Sequence, residues 1–109
     1  MTERVVMLQE LDPDRVDEYL AAHEDVPEAV SDAMERGGVE SFELYVRDAV
    51  SVGIIEVEDF EAYNEVYMDD PECREWERHV EQFKRSGVDP DSGEMPLMDE
   101  VWRFEADAE

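Results

Sequence analysis

Apolar residues alternate with polar ones in some stretches of this chain and recur every three or four positions in others. That change of period lays out the elements. Residues 4–11, RVVMLQEL, are rich in Val, Leu and Met and read as a short buried strand. The next stretch, LDPDRVDEYLAAH, takes helical spacing. Asp12 suits an N-cap, Pro13 the first helical position, and Asp14 the positive end of the helix dipole. Val16, Tyr19, Leu20 and His23 then fall along one side. Pro27 predicts a kink or the start of a second helical segment. Ala29, Val30, Ala33 and Met34 extend the inward face until Gly37 and Gly38 end it.

Residues 39–46, VESFELYV, alternate, with Phe42, Leu44 and Val46 on one face and Ser41, Glu43 and Tyr45 on the other. A short turn at RDA and a second strand at VSVGIIEVE complete a predicted hairpin. Helical periodicity returns over residues 59–87, where Asp70 and Pro71 look like a cap and a first position and divide it into two pieces. Cys73, Trp76, Val80 and Phe83 form an apolar stripe on the second piece, and Gly87 is the expected stop. VDPDSGEMP has no period and reads as a loop. LMDEVWRF, residues 97–104, reads as a closing strand, and residues 105–109 are expected to fray. The order βαββαβ predicts one ferredoxin-like α+β domain over residues 1–109, with an antiparallel sheet and helices on one face. The other face must then stay wet, bind a ligand or meet a partner.

Charge changes the picture of the surroundings more than of the fold. The 109 residues carry 33 Asp and Glu against 9 Lys and Arg, a formal net charge of −24, and Lys84 is the sole lysine. Self-repulsion on this scale opposes a compact state at low salt, and the Debye length of about 3 Å at 1 M salt would screen most of it. The expectation is a cytoplasmic protein of a salt-loving organism. An acidic disordered chain is disfavoured, because apolar residues make up 42% and fall in periodic patterns. Nucleic acid and anionic membranes are poor partners for such a surface. No apolar stretch approaches the roughly 20 residues of a membrane span, and no N-terminal stretch resembles a signal peptide. The single Cys73 precludes an internal disulfide and fits a reducing compartment.

The chain shows no glycine-rich phosphate loop, no Cys-x-x-Cys pair and no Ser-His-Asp signature. His23, His79 and a carboxylate could make a metal site, but acids are so abundant that such sets arise by chance, and no metal is expected. Tyr19 and His23 are four apart, so on a helix they point the same way with Cβ atoms about 6 Å apart. A small molecule could touch both, and histidine can give or take a proton near neutral pH. The plainer alternative is that Tyr19 packs inward with His23 as a half-exposed neighbour. Trp76 has the same two readings. It is either core on an amphipathic stripe, or an aromatic wall for a sugar ring with Glu77 beside it for the hydroxyls.

Together the opening strand, Glu18-Tyr19-x-x-x-His23, the paired glycines before the hairpin, VEDFEAYNEV leading into CREW, and DEVWRF resemble the L-rhamnose mutarotase family over nearly the whole length. The resemblance implies a homodimer of ferredoxin-like domains, of the dimeric α/β-barrel type. It implies interconversion of the α and β anomers of a free sugar by acid/base-catalysed ring opening, with no cofactor and no metal. The family's helix histidine, its proton donor, falls on His23. Its substrate-binding helix tyrosine falls on Tyr19, and the first of its late aromatic pair on Trp76. This chain departs from the pattern in three places. No tryptophan follows His23 before Pro27, Phe42 stands where the family has a tyrosine, and Glu77 replaces the second late aromatic. The expected function is a cofactor-free mutarotase acting on L-rhamnose or a related deoxy sugar, with Tyr19, Trp76 and Glu77 binding it and His23 catalytic. The alternatives are a non-catalytic small-molecule-binding dimer and a cofactor-free oxygenase, since one fold hosts many functions.

Overall fold

A computed structural model describes residues 2–89 and 92–106. Strand β1 (Glu3–Leu11) runs through the middle of an antiparallel sheet. Helix α1 (Val16–Ala22), a 3-10 turn at His23–Asp25 and helix α2 (Glu28–Arg36) follow. Strands β2 (Val39–Arg47) and β3 (Val50–Val57) form the hairpin, turning at Asp48, which sits at φ 53° in the left-handed region that Asp tolerates. Helices α3 (Phe60–Asp69) and α4 (Pro71–Glu81) then lead to two short strands, β4 (Lys84–Ser86) and β5 (Leu97–Met98). The order across the sheet is β2-β3-β1-β4, with β5 also against β1. This is the ferredoxin-like order.

β1 and β3 pair from Glu3 opposite Val57 to Glu10 opposite Val50. That register puts Met7, Gln9 and Leu11 of β1 on the same face as Ser51, Ile55 and Val57 of β3, and all six are buried. The helices lie over this face, supplying Tyr19, Val30, Tyr63, Tyr67, Trp76 and Val80 to one core. Pro27 starts a second helix rather than kinking the first. Its φ of −56° and ψ of 142° place it just outside α2 as the cap residue. Asp59 and Asp70 cap α3 and α4, accepting from the backbone N–H of Ala62 and Glu72. Gly37 lets α2 approach α3, since a Cβ there would lie 2.7 Å from Tyr63 Cδ1.

Three sequence expectations are corrected. Asp12 does not cap α1, which starts at Val16. The Asp12 carboxylate instead accepts from the Asp14 N–H at 2.9 Å, a local turn that delays the helix by one turn. α4 ends at Glu81 rather than running to Gly87. Residues 84–86 become β4 because the edge of β1 offers hydrogen bonds: Asp12 N–H donates to Phe83 O at 2.9 Å, and Leu11 pairs with Lys84. The closing strand over 97–104 shrinks to Leu97–Met98, paired with Met7 and Val6. Beyond it Arg103 binds both Glu100 and Glu105. Residues 99–106 take no regular secondary structure. Of the expected frayed end, Glu105 and Ala106 are exposed without regular structure, and 107–109 lie outside the described residues.

Candidate active site

A cavity of about 610 Å³ opens between the inner sheet face and the helices. Such a volume lies within the usual range of small-molecule sites, about 300–1,000 Å³. Phe42, Leu44 and Val46, the inward residues of β2, form an apolar wall. The alternation over residues 42–46 makes this possible, because one face carries all three.

Tyr19, His23, Trp76 and Glu77 all line this cavity. α1 delivers Tyr19 and His23 one turn apart. Tyr19 is buried, and its hydroxyl shares a 3.0 Å hydrogen bond with Ser51 Oγ across on β3. Burial pushes its pKa up, so the phenol stays neutral. His23 sits where α1 passes into the 3-10 turn, and its Nδ1 lies 2.8 Å from the Tyr19 carbonyl. A carbonyl only accepts, so Nδ1 carries the proton and Nε2 is the nitrogen left to work on a ligand. Burial lowers the His23 pKa below its ordinary 6.5, against the opposing pull of the Tyr19 carbonyl. The two rings stand 4.4 Å apart between centroids, and the Trp76 indole meets His23 edge-on at 5.2 Å.

α4 delivers Trp76 and Glu77 on adjacent positions, both buried and both facing the cavity. Trp76 is therefore core and wall at once, and the two readings of it do not exclude each other. Glu77 Oε2 accepts from the Tyr67 hydroxyl at 2.5 Å. Burial and the carboxylate beside it push the Tyr67 pKa far above its ordinary value, which keeps that hydroxyl a donor. His79 is exposed, is not among the residues lining the cavity, and turns Nδ1 toward the Gln82 amide. The structure thus does not bring His79 to His23.

Lys84 was missed by pattern reading. Its side chain is only 5% exposed and lines the same cavity. Nζ donates to Gln9 Oε1 at 2.7 Å and stands 4.0 Å from Glu77 Oε1. Burial lowers its pKa, and Glu77 pulls it back up. Gln9 and Tyr67 also escaped the sequence reading. The signals were present: a sole lysine in a strongly acidic chain, a glutamine at an inward position of a buried strand, and tyrosines 63 and 67 four apart on a helix.

The L-rhamnose mutarotase family matches residues 4–104. The chain belongs to that family. Among solved structures, the chain is similar to an L-rhamnose mutarotase from Formosa agariphila, with a TM-score of 0.73 at 13% identity, covering 94% of this chain and 99% of that one. It is also similar to an antibiotic biosynthesis monooxygenase, with a TM-score of 0.61, 19% identity and coverage of 93% and 99%. A third is tetracenomycin F2 cyclase from Streptomyces glaucescens, with a TM-score of 0.62, 20% identity and coverage of 96% and 99%. At such identities these likenesses show the shared fold. No curated protein matches the chain. Among the described residues, no helix is long and apolar enough to cross a membrane.

Proposed function

We propose that this protein interconverts the α and β anomers of L-rhamnose or a closely related deoxy sugar, with His23 as the catalytic acid. The observation that carries the proposal is His23 itself, anchored through Nδ1 to the Tyr19 carbonyl beside Trp76, with no hydrogen-bond partner at Nε2 among the described residues, on the wall of a cavity large enough for a monosaccharide. In the imidazolium form Nε2 gives its proton to the ring oxygen as the bond from that oxygen to the anomeric carbon breaks. The anomeric hydroxyl loses its proton as the aldehyde forms. Rotation about the next carbon–carbon bond presents the other face, and the reverse steps close the ring. Trp76 packs against the sugar, Tyr19 sets the His23 backbone anchor and lines the floor, and Glu77 faces the bound sugar. The departures from the family pattern at Phe42 and Glu77 change the wall rather than the acid.

A second copy of the chain completes the assembly in this proposal. The sheet face away from the helices carries Val6 and Ile54, and Met98, Trp102 and Phe104 line a groove beside them. Trp102 is 79% and Phe104 73% exposed. Apolar side chains in one such patch mark an association surface, and a twofold mate buries the patch on both copies at once.

The deciding experiment is saturation-transfer NMR on L-rhamnose in concentrated salt. Protein-dependent exchange between the two anomeric signals is the expected result. Exchange no faster than in buffer, for L-rhamnose and its deoxy relatives alike, would remove the mutarotase assignment.

A further inference from the structure

Ring opening needs two proton transfers, and His23 accounts for one. A base must take the proton from the anomeric hydroxyl while the acid delivers to the ring oxygen. We propose that Glu77 is that base and that Lys84 holds the anomeric oxygen against it, an assignment that rests on the mutarotase reading above.

The geometry of the pair is unusual for a structural ion pair. Both side chains are almost fully buried, yet Nζ and Oε1 stand 4.0 Å apart, beyond hydrogen-bond reach. Each charge has a neutral hydrogen-bond partner, but the two gain less from each other at that spacing than in direct contact. The gap does suit one oxygen atom. A hydroxyl about 2.8 Å from each side can accept from Nζ and donate to Oε1 at the same time. An anomeric hydroxyl has the required lone pair and the required proton.

Each member of the pair is held so that the gap persists. The other Glu77 oxygen, Oε2, is tied to the Tyr67 hydroxyl, which leaves Oε1 as the one facing Lys84. Lys84 is anchored by Gln9, whose Oε1 also receives the Val88 N–H at 3.4 Å. Gly87 covers the anchor closely. A Cβ there would stand 2.6 Å from Gln9 Oε1 and 2.9 Å from Lys84 Cδ, so a larger residue would displace both.

The step balances. The His23 imidazolium gives its proton to the ring oxygen and becomes neutral. The bond from the anomeric carbon to the ring oxygen breaks, and its electron pair stays on that oxygen. The anomeric O–H proton passes to Glu77 Oε1, and the oxygen forms the aldehyde carbonyl. The Lys84 ammonium is unchanged and opposes the negative charge that develops on that oxygen. Ring closure returns both protons, so no co-reactant is consumed. The position held by the second late aromatic elsewhere in the family would here carry part of the reaction.

The test compares wild type with Glu77→Gln, which keeps the shape and the Tyr67 hydrogen bond but takes no proton. L-rhamnose binding is followed by tryptophan fluorescence and anomer exchange by saturation-transfer NMR. The expected result is binding within about threefold of wild type and an exchange rate lower by about a hundredfold to ten-thousandfold, the usual worth of general base catalysis. Exchange at the wild-type rate in the folded variant overturns the assignment. So does loss of binding together with exchange, which would make Glu77 a binding group. If the variant does not fold, wild type decides. Lys84 is the sole lysine, so lysine labelled with carbon-13 at Cε gives one signal. That signal must shift with L-rhamnose and saturate with the same midpoint as the fluorescence. A silent lysine in a protein that exchanges anomers overturns the Glu77–Lys84 assignment and leaves the mutarotase assignment standing. A protein that exchanges nothing overturns both.

Discussion

Replacing His23 by Asn isolates the nitrogen that the mechanism uses. Nδ1 of His23 lies 2.8 Å from the Tyr19 carbonyl, and the Asn amide nitrogen can take the same place and donate the same hydrogen bond. The ring atom lost is Nε2, so the variant keeps its anchor and loses its proton donor. The ring's edge-on contact with Trp76 at 5.2 Å is lost too. Aromatic pairs of this kind contribute about 0.5–1.5 kcal/mol, so the variant should melt slightly earlier but fold. The rate effect is larger. General acid catalysis is worth about a hundredfold to ten-thousandfold, or about 3–5 kcal/mol of barrier. Saturation-transfer NMR on L-rhamnose reads it directly as the loss of exchange between anomeric signals. His79→Asn should lose little, because that ring is exposed and turned toward Gln82. The pH dependence fixes the sign. The working acid is the imidazolium, and burial holds the His23 pKa below 6.5. Wild-type exchange above the solvent background should therefore fall as pH rises through that lowered value, and His23→Asn should lack the limb. A variant that exchanges anomers at the wild-type rate would refute the assignment and return His23 to helix packing.

Three further outcomes follow from the same structure. L-rhamnose should perturb the fluorescence of Trp76 in a Trp102→Phe background, because Trp76 lines the cavity and Trp102 lies on the outer groove. No sugar-dependent change, together with normal exchange in Trp76→Leu, would return Trp76 to a packing role alone. Light scattering in concentrated salt should give twice the 12.7 kDa chain mass, and a clean 12.7 kDa species would remove the proposed dimer. The melting temperature should rise between roughly 0.1 M and 3 M potassium chloride as screening relieves the net charge of −24; a flat or falling trend would count against the account of the surface.

The sheet and its helices were legible because their periods are long and clean. Phe42, Leu44 and Val46 alternate along β2, and the cap at Asp70 sits where an acid before a helical run belongs. The edges were not legible, because there the hydrogen bonds of a neighbour decide. Lys84–Ser86 has too few residues to show a period and becomes a strand only because β1 lies beside it. Residues 99–104 have the alternation of a strand but take no regular structure beyond Met98, and hydropathy alone does not record where pairing with β1 stops. In the site, the pair Tyr19 and His23 could be found by spacing, since the helical geometry continues from α1 into the 3-10 turn that starts at His23. Lys84 stands out in the sequence as the sole lysine, but its partners do not, because Gln9, Glu77 and Lys84 come from two strands and a helix and only the fold brings them together.

The distribution of basic residues separates the surface from the site. Arginines 4, 36, 47 and 103 are well exposed, and each pairs with an acid at the surface. Pairs of this kind are worth about 0–1 kcal/mol and weaken further as salt rises. Their value is to interrupt a field of like charges rather than to hold the fold. Lys84 belongs to a different environment. Its pair with Glu77 is largely buried, where salt screens charges much less than at the surface and effective permittivity is lower than in water. Salt that screens the exterior therefore leaves the Lys84–Glu77 field largely intact. One chain can thus carry exposed charges that salt screens strongly and a buried pair that it screens much less. The condition is that the polar groups of the cavity be satisfied internally, and Gln9, Tyr67 and the Tyr19 carbonyl do that for Lys84, Glu77 and His23.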